Sequence, residues 1–157
     1  MKRLILGIGN LLKGDDGVGV HVARALKMEE EYLGVDIEDG GTGGLSLIDF
    51  FDSYEEILVV DAAGLGLPPG EFRWIAPDML CARRAWSGHD HGLVDAIRLL
   101  EVLPAKKTIR ILGVQPAQME SGTTLGPELR AAFSTILAAV RHEAMAVWEE
   151  KGAMSHG

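Results

Sequence analysis

Residues Gly7 to Val20 read GIGNLLKGDDGVGV, and the fold turns on how this stretch is read. Ahead of it stands the short apolar run Leu4, Ile5, Leu6, which with Gly7 and Ile8 reads as a buried parallel strand ended by glycine. Behind it Val18, Val22, Ala25 and Leu26 recur at helical spacing, predicting a helix from about Gly17 to Lys27. Between strand and helix lie a Gly-x-Gly-Asn turn and two adjacent carboxylates, Asp15 and Asp16. A strand, a tight charged loop and a helix start are where chemistry sits in an α/β domain.

Further along, Val35–Glu38 is a short second strand that runs into DGGTGG (Asp39–Gly44), a sharp turn too rich in glycine for helix or strand. Leu45–Phe51 reads as a short helix. EILVV (Glu56–Val60) is a third strand of the buried type, ended by Asp61. EFRWIA (Glu71–Ala76) alternates and suits a more exposed strand near an edge. Pro77–His91 is a long loop, and Leu93, Ala96, Ile97 and Leu100 mark another helix. TIRILGV (Thr108–Val114) is the fifth strand, and Gln115–Gly126 a loop. Pro127 suits the first turn of a final helix carried by Leu129, Phe133, Ile136, Leu137, Val140, Ala144 and Val147.

Strands alternating with helices imply a three-layer α/β/α sandwich. Right-handed crossovers place strand 1 centrally, with strands 2 and 3 on either side. The loop bearing Asp16 and the strand end bearing Asp61 then border one crevice. Residues 1–151 are expected to form a single α/β domain, with 152–157 a flexible tail.

At 157 residues, one domain with a sizeable core is expected. A net charge of −8 argues against nucleic acid or an anionic membrane as partner. The single cysteine, Cys81, permits no internal disulfide and fits a reducing compartment. Lys2 and Arg3 before an apolar run imitate a signal peptide. Gly7, Gly9 and Asn10 break that run, and Lys13, Asp15 and Asp16 follow without a small-residue cleavage site. No segment approaches the roughly 18 apolar residues of a membrane span. The expectation is a cytoplasmic protein.

The loop is not a nucleotide site. Gly7 and Gly9 match two positions of a dinucleotide fingerprint, but Leu12 stands where the third glycine belongs, and no P-loop Gly-Lys-Ser/Thr follows. Asp15 and Asp16 would repel phosphate. Carboxylates suit a metal instead. Asp16 and Asp61 offer hard oxygen donors at neighbouring strand ends, and in SGHDHG the histidines His89 and His91 flank Asp90. Two carboxylates and a histidine suit zinc, nickel, manganese or iron with positions left for water or substrate. Taken singly each has a structural reading: Asp15 or Asp16 as a helix N-cap, Asp61 as a loop support, the histidines as solvated loop residues. Ser46 in GGLSLI lacks the second glycine of a nucleophile elbow, and Cys81, beside Met79 and Leu80, reads as packing. Asp39 either binds a peptide or bridges the N–H groups of its own turn.

Taken together, GIGNLLKGDDGVG, DGGTGG, the strand ending VVDA, and H-x-x-G-L from His89 to Leu93 resemble the nickel–iron hydrogenase maturation endopeptidases. GVQP and TLGPEL extend the likeness to about Leu129. The resemblance implies a five-stranded mixed sheet of order 2-1-3-5-4 with strand 4 antiparallel. It implies metal contacts by Asp16, Asp61 and His89, with His91 an additional histidine the pattern does not require. It implies removal of a C-terminal extension from a hydrogenase large-subunit precursor after nickel insertion, the substrate-held nickel serving in recognition; another divalent ion could substitute. A helper carboxylate, Asp15 or Asp90, would accept a proton from an activated water. Two alternatives share the same residues: a nickel-checkpoint module that binds the precursor without cutting it, and a metal-dependent hydrolase of another peptide or amide. A monomer is the default expectation.

Overall fold

The computed structural model describes residues 2–42, 47–77, 97–98, 107–117 and 121–155. Its sheet is built from β1 (Arg3–Gly7), β2 (Asp36–Asp39), β3 (Glu56–Ala62), β4 (Phe72–Ile75) and β5 (Thr108–Val114). The strand order is β2-β1-β3-β5-β4. β1 pairs in parallel with β2 and β3, β3 in parallel with β5, and β4 antiparallel with β5. Order and direction are those expected from the sequence. All seven residues of β3 are buried, as befits a strand covered on both faces.

Strand periodicity sorts the apolar side chains into two cores. On one face Ile5, Leu58, Val60, Leu112 and Val114 meet Val18, Val22 and Leu26 of α1 (Val18–Leu26). The same core takes in Leu129, Ile136, Val140 and Ala144 of the last helix, α4 (Pro127–Ser155). On the other, Leu4, Leu6, Ile8, Ile57, Val59 and Ile111 meet Leu47 and Phe51 of α3 (Leu47–Ser53), and Ile97. Each fully buried Leu, Ile, Val or Phe contributes about 1.5–3 kcal/mol. Helical layers on both faces make the three-layer sandwich.

Boundaries differ where local geometry overrides apolar pattern. A 3₁₀ turn, Gly14–Gly17, precedes α1, because Gly17 has φ −82° and ψ 6° and cannot open an α-helix. β3 continues one residue past Asp61, to Ala62, and Asp61 is in register with Gly113. A one-turn helix, α2 (Glu30–Leu33), ends on Gly34 at φ +67°. Of the helix expected around Leu93–Leu100 only Ile97 and Arg98 are described, and both are helical. α4 runs to Ser155, over residues the sequence reading gave to a tail. Among the described residues no helix is long and apolar enough to cross a membrane.

β2 lies at one sheet edge, and its exposed backbone is plugged at Ile37. Ile37 N–H donates to Glu30 Oε2 at 2.7 Å, and Lys27 Nζ donates to the Ile37 carbonyl at 2.6 Å. Two charged side chains thereby satisfy the groups another strand would use.

Candidate active site

Glycines bring the first loop onto the strand ends. A Cβ on Gly7 would lie 2.0 Å from the Gly19 carbonyl oxygen. One on Gly19 would lie 2.1 Å from the Val60 oxygen and 2.4 Å from that of Ile8. Only hydrogen fits at either position, so α1 packs directly on β1 and β3. Gly9, at φ +151°, leaves no space for a side chain either, its Cβ falling 2.1 Å from the Asp16 oxygen. The glycines of GIGN therefore serve backbone packing. They carry the 3₁₀ turn to the carboxyl ends of β1 and β3, where the chain changes direction across the sheet and ligand crevices form.

Asp16 sits in that turn, 2% exposed, and its Oδ2 accepts the Asn10 N–H at 3.0 Å. Asn10 Oδ1 accepts the Leu12 N–H at 2.9 Å, closing the Gly-Asn turn on itself. Asp61, 3% exposed, lies at the carboxyl end of β3, on the α3 side of the sheet by its alternation with Ile57 and Val59. The Ile8 N–H donates to the carbonyl of Val60, the residue before it, at 2.9 Å. Both carboxylates are buried, one in the turn after β1 and one near the carboxyl end of β3. His89, the third expected ligand, lies outside the described residues, with Ser46, Cys81, Asp90 and His91. Among the described residues no three His, Cys, Asp or Glu side chains come together to hold a metal.

Asp15 takes another role. Fully buried, it accepts the Gly126 N–H at Oδ1 (2.7 Å) and the Ala117 N–H at Oδ2 (2.8 Å). With both oxygens accepting from backbone donors it clamps the first loop to the segment after β5. The same segment is tied on by Gly14 N–H to Gly122 O (2.8 Å) and Gly122 N–H to Leu12 O (2.9 Å). Gln115, just after β5, accepts the Leu65 N–H at Oε1 (2.6 Å) and so holds the loop following Asp61.

The start of the turn after β2 is tied to the first loop. Gly40 N–H donates to Gly7 O and Gly9 N–H to Gly41 O, both at 2.8 Å. Asp39 Oδ1 accepts the Gly41 N–H at 2.8 Å, and its Oδ2 lies 3.4 Å from Arg24. Its carboxylate serves the turn, and Gly41 supplies φ +56°. On α1, burial lowers the pKa of His21, with Arg24 acting in the same direction and a backbone hydrogen bond at Thr123 opposing. The neutral imidazole is favoured at pH 7.

The mixed α/β sandwich is shared with solved maturation proteases. The family model described as hydrogenase maturation protease matches residues 20–143. The chain is 34% identical to the hydrogenase expression/formation protein HupM of Azotobacter chroococcum mcd 1, over 97% of this chain and 74% of that protein. It is 32% identical to the hydrogenase 2 maturation protease of Escherichia coli (strain K12), over 90% of this chain and 92% of that one. In structure it is similar to the hydrogenase maturating endopeptidase HybD from E. coli, with TM-score 0.75, 27% identity, and coverage of 91% and 94%. The chain belongs to the hydrogenase maturation protease family.

Proposed function

We propose that the chain is an endopeptidase that removes the C-terminal extension of a nickel–iron hydrogenase large-subunit precursor once nickel has been inserted. The observation that carries this reading is the burial of Asp16 and Asp61 at the β1/β3 strand ends of a maturation protease. Hard, water-shielded oxygen donors suit a divalent cation delivered by the substrate. Asp16, Asp61 and His89 contact that nickel, so a precursor lacking it is a poor substrate. Nickel in that position supplies Lewis acidity toward the scissile carbonyl or a water. The chain's part is positioning. Asn10 N–H orients Asp16, Asp15 fixes the segment after β5 at Ala117 and Gly126, and Gln115 fixes the loop after Asp61.

The test is processing of nickel-loaded and nickel-free precursor by the wild type and by Asp16→Ala, Asp61→Ala and His89→Ala, with the precursor's C-terminus read by mass spectrometry. The expected result is cleavage of the nickel-loaded form alone, with each substitution slowing it by about 100-fold or more. Normal processing by all three variants would remove these residues from the site. Binding without any cleavage by the wild type would mean a checkpoint module instead.

A further inference from the structure

We propose that the open end of the β2 edge, at Asp39, holds the substrate by adding one extended peptide segment to the sheet. The inference rests on the protease reading above. It comes from a hydrogen-bond account of the edge. Gly40 N–H points inward, to Gly7 O of the β1 segment. Alternation along a strand therefore turns the N–H and C=O of Ile37 and Asp39 outward. Those of Ile37 are occupied by Glu30 and Lys27. Those of Asp39 have no hydrogen-bond partner among the described residues, since its recorded bonds are made by its carboxylate. Among the described residues the edge is closed at Ile37 and open at Asp39.

An extended peptide suits this vacancy because it alone presents a C=O and an N–H at strand spacing to meet both groups. Beside it Ala23, Arg24, Lys27, Ile37, Glu38 and Asp39 line a groove of about 280 Å³ that can take a side chain of the added strand. The plug at Ile37 stops the peptide from sliding along the edge, which sets its register. The distance to the chemistry follows from sheet dimensions. An added strand lies one spacing outside β2, and the β1/β3 crevice about one and a half spacings inside it, roughly 12 Å in all. At about 3.3 Å per residue that is roughly four extended residues. The residue bound at Asp39 is therefore about four residues from the scissile bond.

The test is residue-resolved hydrogen exchange on the wild-type chain, alone and with excess nickel-loaded large-subunit precursor, with complex formation followed independently by size-exclusion chromatography. The expected result is slowing of the Asp39 amide by ten-fold or more while the Ile37 amide, already bonded, is unchanged. Unchanged exchange at Asp39 in a complex that forms overturns the proposal and leaves the protease reading standing. Protection of Asp39 that grows with the concentration of the chain alone also overturns it, in favour of edge pairing between two copies. Failure to bind or process the precursor removes the protease reading and this inference with it.

Discussion

The clamp role of Asp15 makes a prediction that separates it from catalysis. In Asp15→Ala two backbone donors lose a carboxylate acceptor. The Gly126 N–H is buried, so it is left unsatisfied at a cost of about 1–3 kcal/mol. Ala117 is exposed, and water can replace the acceptor there at smaller cost. Hydrogen bonds to a charged group are each worth about 1.5–3 kcal/mol, and removing a buried anion returns part of that through relieved desolvation. The net expectation is a loss of about 3 kcal/mol, which for a chain of this length is a fall in Tm of about 6–12 °C. Thermal unfolding followed by circular dichroism measures it. Precursor processing assayed well below the new Tm should keep a substantial fraction of the wild-type rate. Asp15→Asn, which retains one acceptor oxygen but turns an amide N–H₂ toward the other donor, should fall between. An Asp15→Ala protein with Tm within about 1 °C of wild type but no processing would refute the clamp and return Asp15 to proton transfer.

Gly19→Ala, whose Cβ would stand 2.1 Å from a backbone oxygen, should cost about 3 kcal/mol or more and depress soluble yield. Gly41→Ala, with open space around it but φ +56°, should cost only about 1–2 kcal/mol, and urea midpoints of the two variants compare them. Burial, with a hydrogen bond to Asp36, pushes the Tyr54 hydroxyl up to about 12. Because the folded value is raised, its stabilising contribution is complete below the unfolded value of about 10 and is lost as pH rises toward 12. The urea-midpoint gap between wild type and Tyr54→Phe should therefore narrow between pH 9.5 and 12, roughly the interval set by those two values; a constant gap would contradict it. Gln115→Ala frees the loop after Asp61 from its 2.6 Å tether, so processing should slow with a larger change in kcat than in Tm. Equal loss of both would reduce Gln115 to a stability residue.

Local signals carried the sheet. Leu4–Leu6, Ile57–Val60 and Ile111–Val114 are short apolar runs, too short for a buried helix, and each lies in a strand of the structure. The alternation of EFRWIA marked the edge strand β4, and the order of strands came with the family resemblance. What escaped reading was determined at long range. Asp15 finds its partners 102 and 111 residues away, and Gln115 reaches back 50 residues to Leu65. Neither distance leaves a mark in local periodicity. The plug at Ile37 escaped for a related reason: Lys27 and Glu30 look like ordinary surface charges until the 3₁₀ turn Lys27–Glu29 and α2 bring them over the β2 backbone. The placement of Asp16 in a glycine-rich turn after the first strand was legible because that setting is local.

The adjacency of Asp15 and Asp16 carries the deeper point. In a 3₁₀ turn successive side chains diverge by about 120°, so neighbouring carboxylates must face different surroundings. One meets the backbone returning after β5, and the other meets the Asn10 turn at the crevice. An α-helix begun two residues earlier would swing both side chains by a different angle and lose both sets of partners. The glycines prevent that. Gly9 lies against the Asp16 carbonyl, and Gly7 and Gly19 seat α1 on the strands, so the turn cannot rotate without backbone collision. Rigidity is thus imposed by backbone contact at the place where the Asp16 carboxylate is held against the Asn10 turn.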